Sequence, residues 1–369
     1  MRKMFAFLLV AVLLCSYSLP AVAAEDVRLA AAINNTADFL LQAVITPQVD
    51  SVGGEWAVIG LARSGLEVSE AFFKSYYEAV ESLVSERGAV LDPRRFTENS
   101  RVILALSASG YNPLDVAGFD LTLPLGDYER VVGQGINGPI WALIALDSRS
   151  YPIPINPNAS VQATREMYLS EILRRQTPDG GWNLTAGAGG SISAGERGDP
   201  GITGMALQAL SNYQENTNVK AAVDRALSFL TDSQNEDGGF TSGLSGNASD
   251  VESAVQVIVA LGALGVSIDD SRFMKNGNTI VDNVLSHGLA DGSFRHARNS
   301  RQSNQMSTEQ AFYGLVAAHR AQSGQNSLYA MDDAPLRADL HGPLGAVQII
   351  NEVLLELYRR IAAIRLAVE

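Results

Sequence analysis

Six stretches of this chain superimpose on one another without gaps, and a repeat of that kind leaves few architectures open. They are EWAVIGLARSG from Glu55, SRVILALSASG from Ser100, IWALIALDSRS from Ile140, GMALQALSNYQ from Gly204, VQVIVALGALG from Val255 and FYGLVAAHRAQ from Phe312. Aligned on Leu61, Leu106, Leu146, Leu210, Leu261 and Ala318, they place a glycine or alanine one position earlier and an aliphatic residue three earlier. The reference positions lie 45, 40, 64, 51 and 57 residues apart, the spacing of helical hairpins with unequal loops. An amphipathic stretch precedes each: 26–45, 69–86, 160–175 and 218–233, with weaker ones at 277–287 and at 113–131, where Pro124 breaks a continuous helix. The chain therefore reads as outer helix, loop, inner helix, six times over. One such pair cannot bury its apolar face alone, so neighbours must stack. The period itself allows either a closed ring or an open solenoid.

Three turns extend the pattern. QTPDGGW at 176–182, SQNEDGGF at 233–240 and LADGSF at 289–294 share Asp-Gly-x-aromatic, with Asp179, Asp237 and Asp291 spaced 58 and 54 apart. The glycines admit a positive φ, the aspartate can bond the turn's own backbone, and the aromatic pins the loop to the helix ends. In these residues the chain resembles the terpenoid cyclase and protein prenyltransferase superfamily, whose repeats carry a Gln…Asp-Gly-Gly-Trp/Phe turn between helices. Carried by Gln176 to Trp182 and Gln234 to Phe240, the resemblance implies an all-α fold, an α/α toroid of six helical hairpins in inner and outer rings, over about 27–325. It speaks for the fold and not for an activity, because the turn is structural. The expected organisation is a leader at 1–23, the toroid domain at 24–334, and a linker with a C-terminal helix at 335–369.

At 100° per residue, positions 0, −3, −4 and −7 of each inner helix share one face, and −9, −5, −2 and +2 lie opposite. The first face is apolar or small throughout, as packing on outer helices requires. The second varies. At −5 it presents Trp56, Arg101, Trp141, Met205, Gln256 and Tyr313; at −9, Val52, Thr97, Asn137, Gly201, Glu252 and Glu309; at +2, Arg63, Ala108, Ser148, Asn212, Ala263 and Arg320. The −2 position is aliphatic except at Gln208. Mixed aromatics and scattered polar groups suit a ligand cavity better than a lumen filled by its own side chains, since Arg101, Glu252, Glu309 and Arg320 are costly to bury unpaired. The candidate ligand-binding residues are thus Trp56, Trp141 and Tyr313 as an aromatic platform, with Arg101, Met205, Gln256, Glu252 and Glu309. Glu252 and Glu309 also stand near helix starts. There Ser249-x-x-Glu252 has capping-box spacing, and Asp199, Asp250 and Ser307 read as N-caps, which for these residues is the favoured reading.

Signatures of catalysis are sparse. The acidic Asp-x-Asp-Asp motif of squalene-type cyclases is missing, for Asp269-Asp270 and Asp332-Asp333 complete neither it nor a magnesium-diphosphate run. His287, His296, His319 and His341 lack metal-ligand spacing and read as surface or loop residues. No cofactor and no metal is implied. Glu252 and Glu309, at equivalent places on adjacent inner helices, could act as a carboxylate pair. The main expectation is a secreted, non-catalytic toroid that holds a small ligand in its lumen or a partner at its rim, similar in role to transcobalamin and intrinsic factor. The alternative is an enzyme of the same fold, terpene cyclase-like or a carbohydrate-active hydrolase or lyase.

Both ends of the chain carry separate signals. Arg2 and Lys3, an apolar run from Met4 to Leu14 and the small residues Ala21-Val22-Ala23 form a secretory leader. Its removal takes the only cysteine, Cys15, and moves the net charge from −13 to −15. That balance and the lack of any Lys/Arg run disfavour nucleic acid and anionic membranes as partners, and no later stretch is long and apolar enough to span a bilayer. At the other end, Val347, Ile350, Leu354, Leu357, Ile361, Ile364 and Val368 form a heptad seam, either a capping helix or a route to a homo-oligomer.

Overall fold

The computed structural model describes residues 27–243 and 248–337. The expected leader at 1–23, His341 and the heptad seam from Val347 lie outside the described residues. Within them the helices alternate between two walls. The outer helices are α1 (27–43), α3 (Glu70–Arg87), α5 (Tyr128–Val132), α7 (Arg165–Arg174), α9 (Thr217–Ser233) and α11 (Ile280–Ser286). The inner ones are α2 (Trp56–Arg63), α4 (Thr97–Ser109), α6 (Asn137–Asp147), α8 (Pro200–Leu210), α10 (Val251–Leu264) and α12 (Gln305–Gln322). Each inner helix packs on the next, and α12 returns to α2, so the ring is closed. This is the α/α toroid. The weak fifth element has the form Pro124 dictates, a 3₁₀ turn over Leu123–Gly126 followed by the short α5.

Inner helices approach closely because small residues meet their neighbours. A Cβ on Gly204 of α8 would stand 2.7 Å from the Gln256 backbone of α10, and one on Gly60 of α2 would meet the Phe312 ring of α12 at 2.6 Å. Helix starts are fixed by side chains. Asp199 accepts from the Ile202 N–H and Asp250 from the Ser253 N–H, as expected. Two assignments change. Asn304, not Ser307, caps α12 by accepting from the Ser307 N–H, and Ser249 forms no cap because its hydroxyl donates to Asp237 instead. A better cap was available at each place, one residue after Ser249 and three before Ser307.

The three Asp-Gly turns join the walls sideways. Gln176 donates to the carbonyls of Gly180, in its own turn, and Ala222, in α9; Gln234 does the same to Gly238 and Phe273. Trp182, Phe240 and Phe294 are buried behind their turns. The glycines have no room to be anything else. Gly292, at φ +87°, lies so close to α1 that a Cβ would be 2.4 Å from the Asn35 carbonyl oxygen. This last contact brings the sixth hairpin back to the first helix. It closes the outer wall as α12 on α2 closes the inner one.

All six inner helices end at one mouth of the ring, which the segment after α12 covers. Met331 N–H donates to Ser148 O, past α6, and Arg337 N–H to Gly110 O, past α4. Arg63 of α2 and Arg320 of α12 bind the same segment, and Tyr329 and Ala330 line a small recess with Gln208 of α8 and Ala263 of α10. Leu328 and Met331 are fully buried there.

Candidate functional site

The −5 face turns to the axis and meets itself. Trp56 lies 5.4 Å, ring to ring, from Trp141 and 5.6 Å from Tyr313, and Trp141 meets Tyr329 edge-on at 6.0 Å. Helices α2 and α6 are separated in the ring by α4, so the tryptophan contact crosses the lumen. Tilted contacts at these distances are favourable ring geometry. All four rings are buried. The expected open cavity is therefore absent at this level, where the rings themselves close the lumen.

Polar members of the same face bond to one another. Gln208 donates to Gln256 Oε1 at 2.9 Å, Gln256 to the Tyr313 hydroxyl at 2.7 Å, and that hydroxyl to Gln310 Oε1 at 3.2 Å. Met205 is partly buried against the core. Arg101 is no free anchor, since it is paired with Glu98 and with Glu55.

Above the rings, at the N-terminal ends of the inner helices, stand two fully buried carboxyl groups. Glu55 accepts from the Tyr76 hydroxyl at 3.1 Å and from Arg101 Nε at 3.4 Å. Burial nevertheless raises its carboxyl to about 7, the Arg101 charge opposing. Glu309 accepts at Oε1 from the Gly53 N–H at 2.8 Å and from Gln305 at 2.7 Å. Its Oε2 is buried with no hydrogen-bond partner. Burial raises this carboxyl to about 7 as well, with Asp50 adding in the same direction. Gly53 can reach Glu309 because the chain kinks just before α2, where Gly53 takes φ +74°. Glu309 sits one turn before Tyr313 on the same face of α12, and Glu55 directly precedes Trp56.

Glu252 and Glu309 do not act as a matched pair. Glu252 is bound by the Ser307 hydroxyl and by His296 Nδ1 at 2.6 Å, whereas Glu309 faces α2. His287, expected at the surface or in a loop, stands in the turn just past α11 but is fully buried, its Nδ1 2.9 Å from the Asn283 carbonyl. Among the described residues, no group of three or more His, Cys, Asp or Glu side chains could hold a metal ion.

Sequence reasoning missed Glu55 and Tyr329. The first lies one position off the lumen face, between the kink at 52–54 and Trp56. The signal it left was a lone carboxylate in front of an apolar run. Tyr329 belongs to no repeat.

No protein-family model matches the sequence, and a search of curated proteins finds no match. Solved structures do share the fold. The type II terpene cyclase MstE from Scytonema is 13% identical, with TM-score 0.51, over 80% of this chain and 99% of that one. A single-substitution variant of the same cyclase is 12% identical, with TM-score 0.51, over 81% and 98%. The ent-copalyl diphosphate synthase from Streptomyces platensis is 17% identical, with TM-score 0.47, over 72% of this chain; the chain spans 49% of that synthase. The toroid is thus the fold of terpene cyclases. The expectation of a non-catalytic binder, transcobalamin-like in role, is corrected: the two structures that match at TM-score 0.51 are forms of a terpene cyclase, not binders.

Proposed function

We propose that the chain is an enzyme of the toroid fold, with terpene cyclase-like chemistry started by a carboxylic acid. The observation that carries this reading is Glu309, a fully buried carboxyl held half-protonated near neutral pH, with Oε2 unengaged, one helical turn from an aromatic cluster. An acid poised at its working pH is what general-acid chemistry needs. Glu309 gives its proton to one carbon of a substrate alkene. The π pair forms the new C–H bond, and the neighbouring carbon is left cationic. Further alkene pairs then close rings onto that cation, and a proton lost at the end returns the acid, so the product is an isomer of the substrate. The faces of Trp56, Trp141 and Tyr313 stabilise the cation and exclude water, parting around the substrate to do so. Arg101 holds Glu55 in place beneath Tyr76, and Gln256 fixes the Tyr313 hydroxyl. A carbohydrate-active reading is weaker, because Glu252 and Glu309 take separate partners.

The test is incubation with a panel of polyprenyl alcohols, acids and diphosphates, followed by mass spectrometry for cyclised isomers of unchanged mass. The native chain should yield such isomers from at least one class, and E309Q should lower the rate about 100-fold or more. No isomer from any class, or an E309Q rate equal to the native one, overturns the reading.

A further inference from the structure

The covered mouth gathers three arginines. Arg63 at the end of α2, Arg149 just past α6 and Arg320 near the end of α12 converge on one place. Among the described residues the carboxylate that pairs with two of them is Asp333, bound by Arg63 Nη1 at 2.6 Å and by Arg320 through its other oxygen. Further donors of the three go to backbone carbonyls of the same segment. Arg63 takes those of Ser327, Leu328 and Ala330, Arg320 that of Asn326, and Arg149 those of Ala334 and Pro335. Just inside, Tyr329 lies against Trp141. Its buried hydroxyl has no hydrogen-bond partner, and neither does Gln208 Oε1 in the wall of the same recess, which holds about 30 Å³.

We propose that residues 326–337 are a self-supplied plug, occupying a site that otherwise takes an apolar ligand with an anionic head. Asp333 stands where the head binds and Tyr329 where the apolar body begins. Planar guanidinium groups bind carboxylate and phosphate oxygens through paired hydrogen bonds, and an incoming head can use the donors that now hold Asp333. Three clustered guanidiniums facing one carboxylate favour a head of equal or greater negative charge. The opposite mouth cannot serve, since Glu55, Glu98, Glu252 and Glu309 stand there. The inference extends the enzyme reading by fixing the substrate's direction, head at the arginines and far end toward Glu309. The plug tethers its own carboxylate at high effective concentration, so entry requires a ligand that outcompetes it.

Hydrogen exchange of the full native chain tests this with dodecyl phosphate, dodecanoate and dodecanol, each below its aggregation threshold and at low salt. It reads plug release without reference to turnover, so failure here and failure of the E309Q assay are separate outcomes. Either anion should speed exchange across 326–337, where the Met331 and Arg337 amides are hydrogen-bonded to the ring, by about tenfold or more. Exchange in α8 and α10 should not change, and dodecanol should have no effect. Asp333→Asn should speed exchange of the same segment without ligand. Unchanged exchange with dodecyl phosphate, or an equal response to dodecanol, overturns the proposal.

Discussion

The two mouths of the ring are built from the same six helices and carry opposite charge. The N-terminal mouth gathers Glu55, Glu98, Glu252 and Glu309 around the single Arg101; the C-terminal mouth gathers Arg63, Arg149 and Arg320 around Asp333. Helix direction accounts for the signs, because exposed N–H groups at helix starts favour anions and free carbonyls at helix ends favour cations. It does not account for how completely each end is satisfied. The arginines spend their donors on Asp333 and on carbonyls, and the Asp333 carboxyl is held below its ordinary value: burial opposes this, but the hydrogen bonds and charges of Arg63 and Arg320 outweigh it. The glutamates opposite are less well served. Glu309 keeps one bare oxygen, and Glu55 titrates near 7 despite Arg101. One mouth has its charges paired, and the other retains carboxyls that titrate near neutral pH. Such groups concentrate where chemistry is done.

The contrast can be broken most sharply at Arg63, whose side chain is 2% exposed. Arg63→Ala removes four hydrogen bonds at once and should cost about 3–5 kcal/mol in urea unfolding. A cost below about 1 kcal/mol would mean that the covered mouth is not the tightly held end. The glutamates predict a pH effect next in size. Their folded carboxyls titrate near 7 and the unfolded reference near 4.5, so the folded chain holds extra protons between those values. Stability should fall as pH climbs through that window, by about 3 kcal/mol for each group. E309Q should remove its share of the slope; a flat profile between pH 4.5 and 7 would erase the distinction between the mouths. The smallest effect is expected at the plug. Tyr329→Phe deletes a buried hydroxyl that bonds to nothing and should leave stability unchanged or raise it by about 1 kcal/mol. A loss of more than that in thermal unfolding would show the hydroxyl to be engaged.

Much of the architecture was legible because it repeats. The small residue before each reference position, the aliphatic face and the Asp-Gly-aromatic turns are packing requirements met once per hairpin, and repetition lifts them out of the background. The convergence of Trp56, Trp141 and Tyr313 followed from the 100° step alone. What was not legible depends on single events. Gly53 reaches Glu309 through one kink before α2. Asp333 looked like half of a missing motif, yet in the structure it is the counter-ion of two arginines that lie about 270 and 13 residues away along the chain. The lumen was expected to be open because charged and aromatic residues shared a face. The faces proved correct, but periodicity gives directions and not distances, and three large rings directed at a narrow axis come into contact.

The seam at Gly292 and Asn35 bears on how the molecule is made. These residues are separated by most of the chain, so the first helix leaves the ribosome long before its lateral neighbour exists. Until then the side of α1 at Asn35 and Phe39, against which Gly292 packs, lacks its neighbour. Contacts of such long sequence separation form late and slow the approach to the native state. The nascent circle keeps one open edge until the sixth hairpin is made.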